Sequence, residues 1–183
     1  MHPCRLPSRI VHAYVDETKS RGLVVVAAIA DVRDLQASRK TLVALRLRGQ
    51  ERIHFKSESD SRRRTIADAI AGLPIRIHVY DAAALPERDG RTQALQMLVA
   101  DLAGMSATRL VIEQDDSLLR ADRQTLFAAT RKQQIQDRLA YEHLRAKQEP
   151  MLWVPDAVAW CLAKGGPWKT RFEPMIFSYN TLT

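Results

Sequence analysis

The chain has 183 residues and a mass of 20.7 kDa, with 46% hydrophobic and 27% charged residues and a net charge of +7. This length and composition suit a single globular domain over residues 1–183, and they exclude collagen-like, low-complexity and largely disordered chains. No apolar run approaches the roughly 18 residues that a membrane span needs, and residues 1–7 lack the apolar core of a secretory signal. We therefore expect a cytoplasmic protein without a membrane partner. Cys4 and Cys161 are too few for a thiolate zinc cluster, so both are expected to be free thiols.

The first half of the chain predicts a hairpin followed by helices. Residues 10–16 and 22–30 are rich in β-branched residues and are separated by a short polar stretch, which indicates two antiparallel strands. Apolar residues at helical spacing predict a helix over residues 32–47. A short strand-like piece at 52–56 follows, and then Ser59 or Asp60 is expected to cap a helix that ends at Ala71.

The second half alternates strands with helices. We predict strands at 75–80 and 109–112, with a helix at 89–103 between them, and a long helix over 122–145. A last helix is predicted from Pro155 to Gly165, because proline is favoured at a first helical position. Residues 170–177 are expected to form a terminal strand or an extended tail. The order predicts an α/β domain with a mixed sheet, in which an N-terminal antiparallel hairpin precedes βα units.

The positive charge is concentrated in the first third of the chain. Residues 1–64 contain 14 Lys and Arg against 7 Asp and Glu, whereas residues 65–183 contain 14 of each. Clustered basic residues suit a phosphate backbone, although a solvated helix face is the commoner explanation for any single cluster. A second basic stretch is interleaved with Trp168 and Phe172, a mixture that serves either base stacking or packing. The candidate nucleic-acid contacts are Lys56, Arg62, Arg63, Arg64, Lys164 and Lys169.

Acidic residues follow two predicted strands and begin the last helix. Asp16 and Glu17 end the first strand, Glu113 ends the strand at 109–112, and Asp156 lies one position into the last helix. Acids at the carboxyl ends of neighbouring parallel strands converge on one crevice. Several ionised carboxylates in one place repel one another unless a divalent cation neutralises them, and oxygen ligands favour Mg²⁺ or Mn²⁺. Taken singly, each acid also fits a turn, a solvated loop or a favourable charge at a helix N-terminus.

Four short motifs resemble those of a known family. AYVDE, IHFK, LVIE and MLWVPDAVAW, spread over roughly residues 10–175, look like the uncharacterised DES-start family of the ribonuclease H-like, retroviral-integrase-like superfold. The chain departs from that family's usual Asp-Glu-Ser-Gly opening at Thr18 and Lys19, and it has Glu113 where Asp is often found. The additional Glu on the superfold's first helix has no secure counterpart.

The resemblance implies a ribonuclease H-like mixed sheet with helices on both faces and a nuclease site that holds two Mg²⁺ or Mn²⁺ ions. In that site Asp16 would bridge the ions, Glu113 and Asp156 would each complete one, and Glu17 would be an outer ligand or an orienting group. Nucleic acid would be the partner and phosphodiester cleavage the reaction. Lys56, His54 and Lys164 would contact phosphate or shuttle a proton, although His54 also fits a core or edge position.

Two other functions remain open from the sequence. The chain could be an inactive nucleic-acid-binding or protein-interaction module on the same fold, because Lys19 beside the acids could neutralise them in place of a metal. A phosphotransferase with Asp16 as nucleophile is a weaker alternative, since such enzymes commonly want another Asp two residues on and Thr18 stands there. A dinucleotide or P-loop site is excluded because no Gly-rich phosphate loop follows a strand.

Overall fold

The computed structural model describes residues 9–183, which form one six-stranded mixed sheet with six helices of four or more residues. In chain order the elements are β1 (Val11–Thr18), β2 (Val24–Asp31), α1 (Leu35–Ala44), α2 (Asp60–Ala71), β3 (Ile75–Asp81), α3 (Glu87–Ala103), β4 (Ala107–Glu113), α4 (Leu119–Lys132), β5 (Ala140–Leu144), α5 (Trp153–Lys164), α6 (Pro167–Thr170) and β6 (Ile176–Thr181).

The strand order across the sheet is β5-β4-β1-β2-β3-β6. The first three strands pair antiparallel as β1-β2 and β2-β3, whereas β4 pairs parallel with β1, β5 with β4 and β6 with β3. β1 and β2 therefore lie at the centre and are buried along most of their length. The predicted mixed α/β sheet with an N-terminal antiparallel hairpin is confirmed.

Helices cover both faces of the sheet, as predicted. One core cluster joins the sheet to α1, α2 and α5 through residues such as Tyr14, Leu42 and Ile66, and we call this side the α5 face. The other cluster joins it to α3 and α4 through residues such as Leu98 and Leu126, and we call this side the α3 face. Because side chains alternate along a strand, consecutive residues of β1 lie on opposite faces.

Several predicted boundaries are confirmed and others are wrong. Ser59 accepts a hydrogen bond from the Arg62 amide and caps α2 as expected. The strand-like piece at 52–56 is instead a turn that leads into a 3-10 helix at Phe55–Ser57. The long helix at 122–145 is wrong in its second half: α4 ends at Lys132, and 140–144 is the edge strand β5. The terminal strand forms later than predicted, as β6.

The remaining sequence expectations concern single residues and the membrane. Cys161 is a buried free thiol on α5, and Cys4 lies outside the described residues. Within residues 9–183, every helix is too short or too polar to cross a bilayer.

Candidate active site

Two of the predicted acids come together because their strands are parallel neighbours. Tyr14 pairs with Val111 and Val15 with Ile112, so the next residues, Asp16 and Glu113, end β1 and β4 side by side. Tyr14 and Val111 both belong to the core cluster of the α5 face. By strand alternation, Asp16 and Glu113 point toward that same face.

The third acid reaches the same place from a helix. α5 packs across β1 and β2, and Asp156 lies in its first turn. Its carboxylate accepts a hydrogen bond of 3.0 Å from the backbone amide of Phe55 and lies 3.6 Å from Nδ1 of His54. These contacts fasten the loop before α2 to the start of α5. The Asp156 carboxylate beside the ring also raises the pKa of His54.

Burial and neighbouring negative charges both act on the pKa of Asp16. Burial raises the pKa of the Asp16 carboxyl well above its usual value, and the negative charges of Glu113 and Asp156 raise it further. A hydrogen bond with the Glu113 side chain and the charge of Glu17 act in the same direction. Asp16 therefore lies in a poorly solvated place beside two other acids, which favours either a bound proton or a bound cation there.

These acids open onto a cleft of about 800 Å³. Its walls carry basic, acidic and aromatic groups: Asp16, Glu17, Thr18, Lys19, Ser20, Arg52, His54, Lys56, Glu113, Gln114, Asp115, Asp116, Arg145, Asp156 and Trp160. The three clustered carboxylates are thus accessible to a ligand, and positive groups lie beside them.

Glu17 follows Asp16 in the chain, but its side chain lies on the opposite side of the sheet. It shares strand parity with Val15, which packs in the core of the α3 face. Its carboxylate pairs with the buried guanidinium of Arg91 at 2.8 Å. Lys19 pairs with Glu87 at 2.5 Å and with Glu17 at 3.8 Å, so within residues 9–183 its ion pairs are on the α3 side and not with Asp16.

Two of the predicted phosphate contacts are used inside the protein. Arg62 pairs with Glu58 and donates to the carbonyl of Leu45. Arg63 donates to the carbonyls of Phe55 and Lys56, and its guanidinium covers the ring of Trp160 at 4.6 Å. Both side chains hold the loop before α2 in place, which makes them less available to a phosphate than the sequence suggested.

The other four predicted basic contacts lie at the surface. Lys56, Arg64, Lys164 and Lys169 are exposed, and Lys56 lines the cleft. Trp168 is half-buried edge-on to Trp160 and Phe55, whereas Phe172 is fully buried and can only pack.

Sequence reasoning missed Arg52 and undervalued His54. Arg52 lies 3.1 Å from Glu113, and both Arg52 and His54 keep more than 40% of their side-chain surface exposed at the cleft. Residues 52–56 have the pattern of a strand, and strand alternation does not give the directions that their side chains take in the actual loop. The IHFK motif was the available signal, but its turn geometry depends on Asp156, a hundred residues away.

The chemistry of the clustered acids fits a hard divalent cation, since carboxylate oxygens are what Mg²⁺ and Mn²⁺ prefer. Their arrangement is not that of a preformed site: within residues 9–183, no three Asp, Glu, His or Cys side chains are grouped so as to hold a metal ion. Arg52 engages Glu113 and the Phe55 amide engages Asp156, which accounts for part of this.

Comparison with known proteins identifies the fold. No family model and no curated protein matches the chain, so its membership of the DES-start family stays a prediction. Among solved structures, it is similar to ribonuclease HII of Archaeoglobus fulgidus, determined in complex with PCNA, with a TM-score of 0.56 and 16% identity over 85% of this chain and 73% of that one. It is also similar to ribonuclease H2 of Pyrococcus horikoshii OT3, with a TM-score of 0.51 and 11% identity over 94% and 81%. The chain therefore has a ribonuclease H-like fold.

Proposed function

We propose that the protein is a divalent-metal-dependent nuclease that hydrolyses phosphodiester bonds. The observation that carries this proposal is the meeting of Asp16, Glu113 and Asp156 on one face of a ribonuclease H-like sheet, at an open cleft. The two solved relatives are ribonucleases by name, which supports the same class of reaction.

Asp16 is the central ligand in this proposal, because the charges of both other acids act on its carboxyl. Glu113 and Asp156 would each complete one ion of a pair, as in the two-ion scheme. Glu17 is an orienting group, since its carboxylate is already paired with Arg91 on the α3 face. When bound, the ions activate a water molecule and stabilise the leaving oxygen.

The residues of the chain supply the remaining steps. Arg52 now pairs with Glu113, and it would be free to contact a substrate phosphate if Glu113 bound a metal ion. His54 keeps a raised pKa beside Asp156, which suits it to donate a proton to the leaving oxygen. Lys56, Arg64, Lys164 and Lys169 attract the nucleic-acid backbone, and Lys56 lines the same cleft as the acids.

A second candidate function is a nucleic-acid-binding module that has lost catalysis. The pairing of Arg52 with Glu113 favours it, because a guanidinium can balance the acidic cluster without a metal. This alternative predicts salt-dependent binding of nucleic acid with no effect of Mn²⁺ on either binding or integrity of the strand.

Cleavage assays with wild-type protein and two asparagine variants separate these functions. Labelled single-stranded, double-stranded and hybrid substrates are incubated with Mn²⁺, Mg²⁺ or EDTA. We expect metal-dependent cleavage that Asp16→Asn abolishes and that Asp137→Asn, an equal change of charge at an exposed position, retains. Equal activity of both variants, or cleavage in EDTA, would refute the proposal.

A further inference from the structure

A chain of buried charged groups runs from the end of β1 through the α3 face to β5. Glu17 pairs with Arg91 at 2.8 Å, Arg91 grips both carboxylate oxygens of Asp122 at 2.7 and 2.8 Å, and Asp122 lies 3.1 Å from Nε2 of His143. The side chains of Arg91, Asp122 and His143 are at most 7% exposed. Four elements, β1, α3, α4 and β5, are joined by these contacts.

Such a chain is a poor device for stability alone. Burying ions costs desolvation that their mutual attraction only roughly offsets, and apolar side chains of similar volume often stabilise a core as well or better. The surrounding positions show that apolar packing is available here, since Leu95, Leu98 and Leu126 fill the same face. These linked contacts also fix the position of Glu17, which pairs with Arg91.

Glu17 is the residue through which this chain reaches the cleft. Its backbone amide donates to Oδ1 of Asp16 at 2.8 Å, so the orientation of one residue constrains the other. The planar guanidinium of Arg91 makes two bonds to Asp122 and a third to Glu17, which leaves little freedom of rotation.

We propose that Arg91 is a positioning residue that, held by Asp122 and His143, fixes Glu17 on the α3 face and thereby keeps Asp16 aimed at Glu113 and Asp156 on the other. This inference rests on the proposed function for its consequence, the ability of Asp16 to bind metal. The positioning itself is a property of the metal-free protein.

The experiment compares Arg91→Met with Arg39→Met. Arg39 makes a similar paired contact, to both oxygens of the buried Glu149, but it does not line the cleft. Hydrogen exchange at the amides of residues 16–18 is measured in EDTA, and Mn²⁺ affinity is measured by calorimetry, both at a temperature where each variant is folded. Asp122→Asn, a milder change behind Arg91, is included in case Arg91→Met does not fold.

For Arg91→Met we expect faster exchange at residues 16–18 and Mn²⁺ binding weakened about 10- to 100-fold, the range typical of groups that support metal ligands. Arg39→Met should leave Mn²⁺ affinity unchanged and should speed exchange at residues 16–18 no more than exchange at the central amides of β1, because its loss of stability acts on the whole fold. Asp122→Asn should change both measurements in the direction of Arg91→Met. Unchanged exchange in Arg91→Met and Asp122→Asn, or equal effects of Arg39→Met, would overturn the inference. If wild-type protein binds no Mn²⁺, the proposed function fails, while the exchange measurement still decides the positioning.

Discussion

Replacing Asp16 by asparagine should stabilise the metal-free protein at neutral pH. Asp16 loses solvation on folding and faces the negative charges of Glu113 and Asp156, so its ionised form is unfavourable in the folded state. Asparagine has nearly the same shape, and its side-chain oxygen can still accept the hydrogen bond that the Glu17 amide donates to Asp16. The substitution therefore removes repulsion at little structural cost.

The size of the gain follows from the charges involved. Two unit charges about 4 Å apart repel by about 1 kcal/mol in bulk water and by about 4 kcal/mol at an effective dielectric constant of about 20. Arg52 lies 3.1 Å from Glu113 and offsets part of this repulsion. We expect a gain of about 1–2 kcal/mol, which raises the melting temperature of a chain of this size by about 2–8 °C.

The gain should depend on pH in a defined direction. Since the pKa of Asp16 is raised in the folded state, the folded protein holds this proton more tightly than the unfolded chain does. Stability is therefore lost as the pH rises above the unfolded pKa of about 4, and the advantage of Asp16→Asn should appear over the same range. Below about pH 4 the variant and the wild type should melt together.

Thermal unfolding in EDTA, from pH 3 to pH 8, measures this effect, with Asp137→Asn as the control for net charge. Adding Mn²⁺ should raise the melting temperature of the wild type and leave Asp16→Asn unchanged. A lower melting temperature for Asp16→Asn at pH 7, or a gain equal to that of Asp137→Asn, would show that the acids are not crowded in the folded state.

Three further predictions concern the scaffold. Arg39→Met should lower the free energy of unfolding, measured by urea denaturation, by about 2–3 kcal/mol, because it leaves the carboxylate of Glu149 buried without its main partner. A loss below about 0.5 kcal/mol would contradict this. Gly22→Ala should cost about 1–3 kcal/mol in the same assay, since φ is +93° and a Cβ would lie 2.5 Å from that of Ala83; an unchanged midpoint would refute it. Burial raises the pKa of the Cys161 thiol to about 12. In a Cys4→Ser background, Cys161 should therefore react with a thiol reagent at pH 8 only after unfolding. Rapid reaction of the folded protein would disprove its burial.

The parts of the fold that the sequence predicted are those with a local cause. β-branched runs separated by a polar stretch predicted β1 and β2, and Ser59 marked the start of α2. The positions of Asp16 and Glu113 at strand ends followed from the same patterns. Their meeting depended on parallel pairing of β1 with β4, which alternation of strands and helices made the natural expectation.

The errors have non-local causes. β5 is a five-residue edge strand with the polar sequence AYEHL, and its pairing with β4 outweighs a local pattern that resembles a continuing helix. The loop before α2 takes its shape from Asp156 and from Arg63, contacts that no local pattern reveals. The internal partners of Arg62 and Arg63 are equally invisible to local patterns, and the phosphate binding expected of these two residues stays a prediction.

The central place of β1 matters for the two consecutive acids at its end. A slip of one residue would turn every side chain of the strand over, bringing Glu17 to the cluster of Glu113 and Asp156 and Asp16 to Arg91. The exchanged residues are both acids, so charge alone would hardly oppose the error. The burial of Tyr14 in the core of the α5 face and of Val15 in the core of the α3 face sets the alignment instead. Insertions or deletions within this strand are therefore a greater danger to the site than most substitutions.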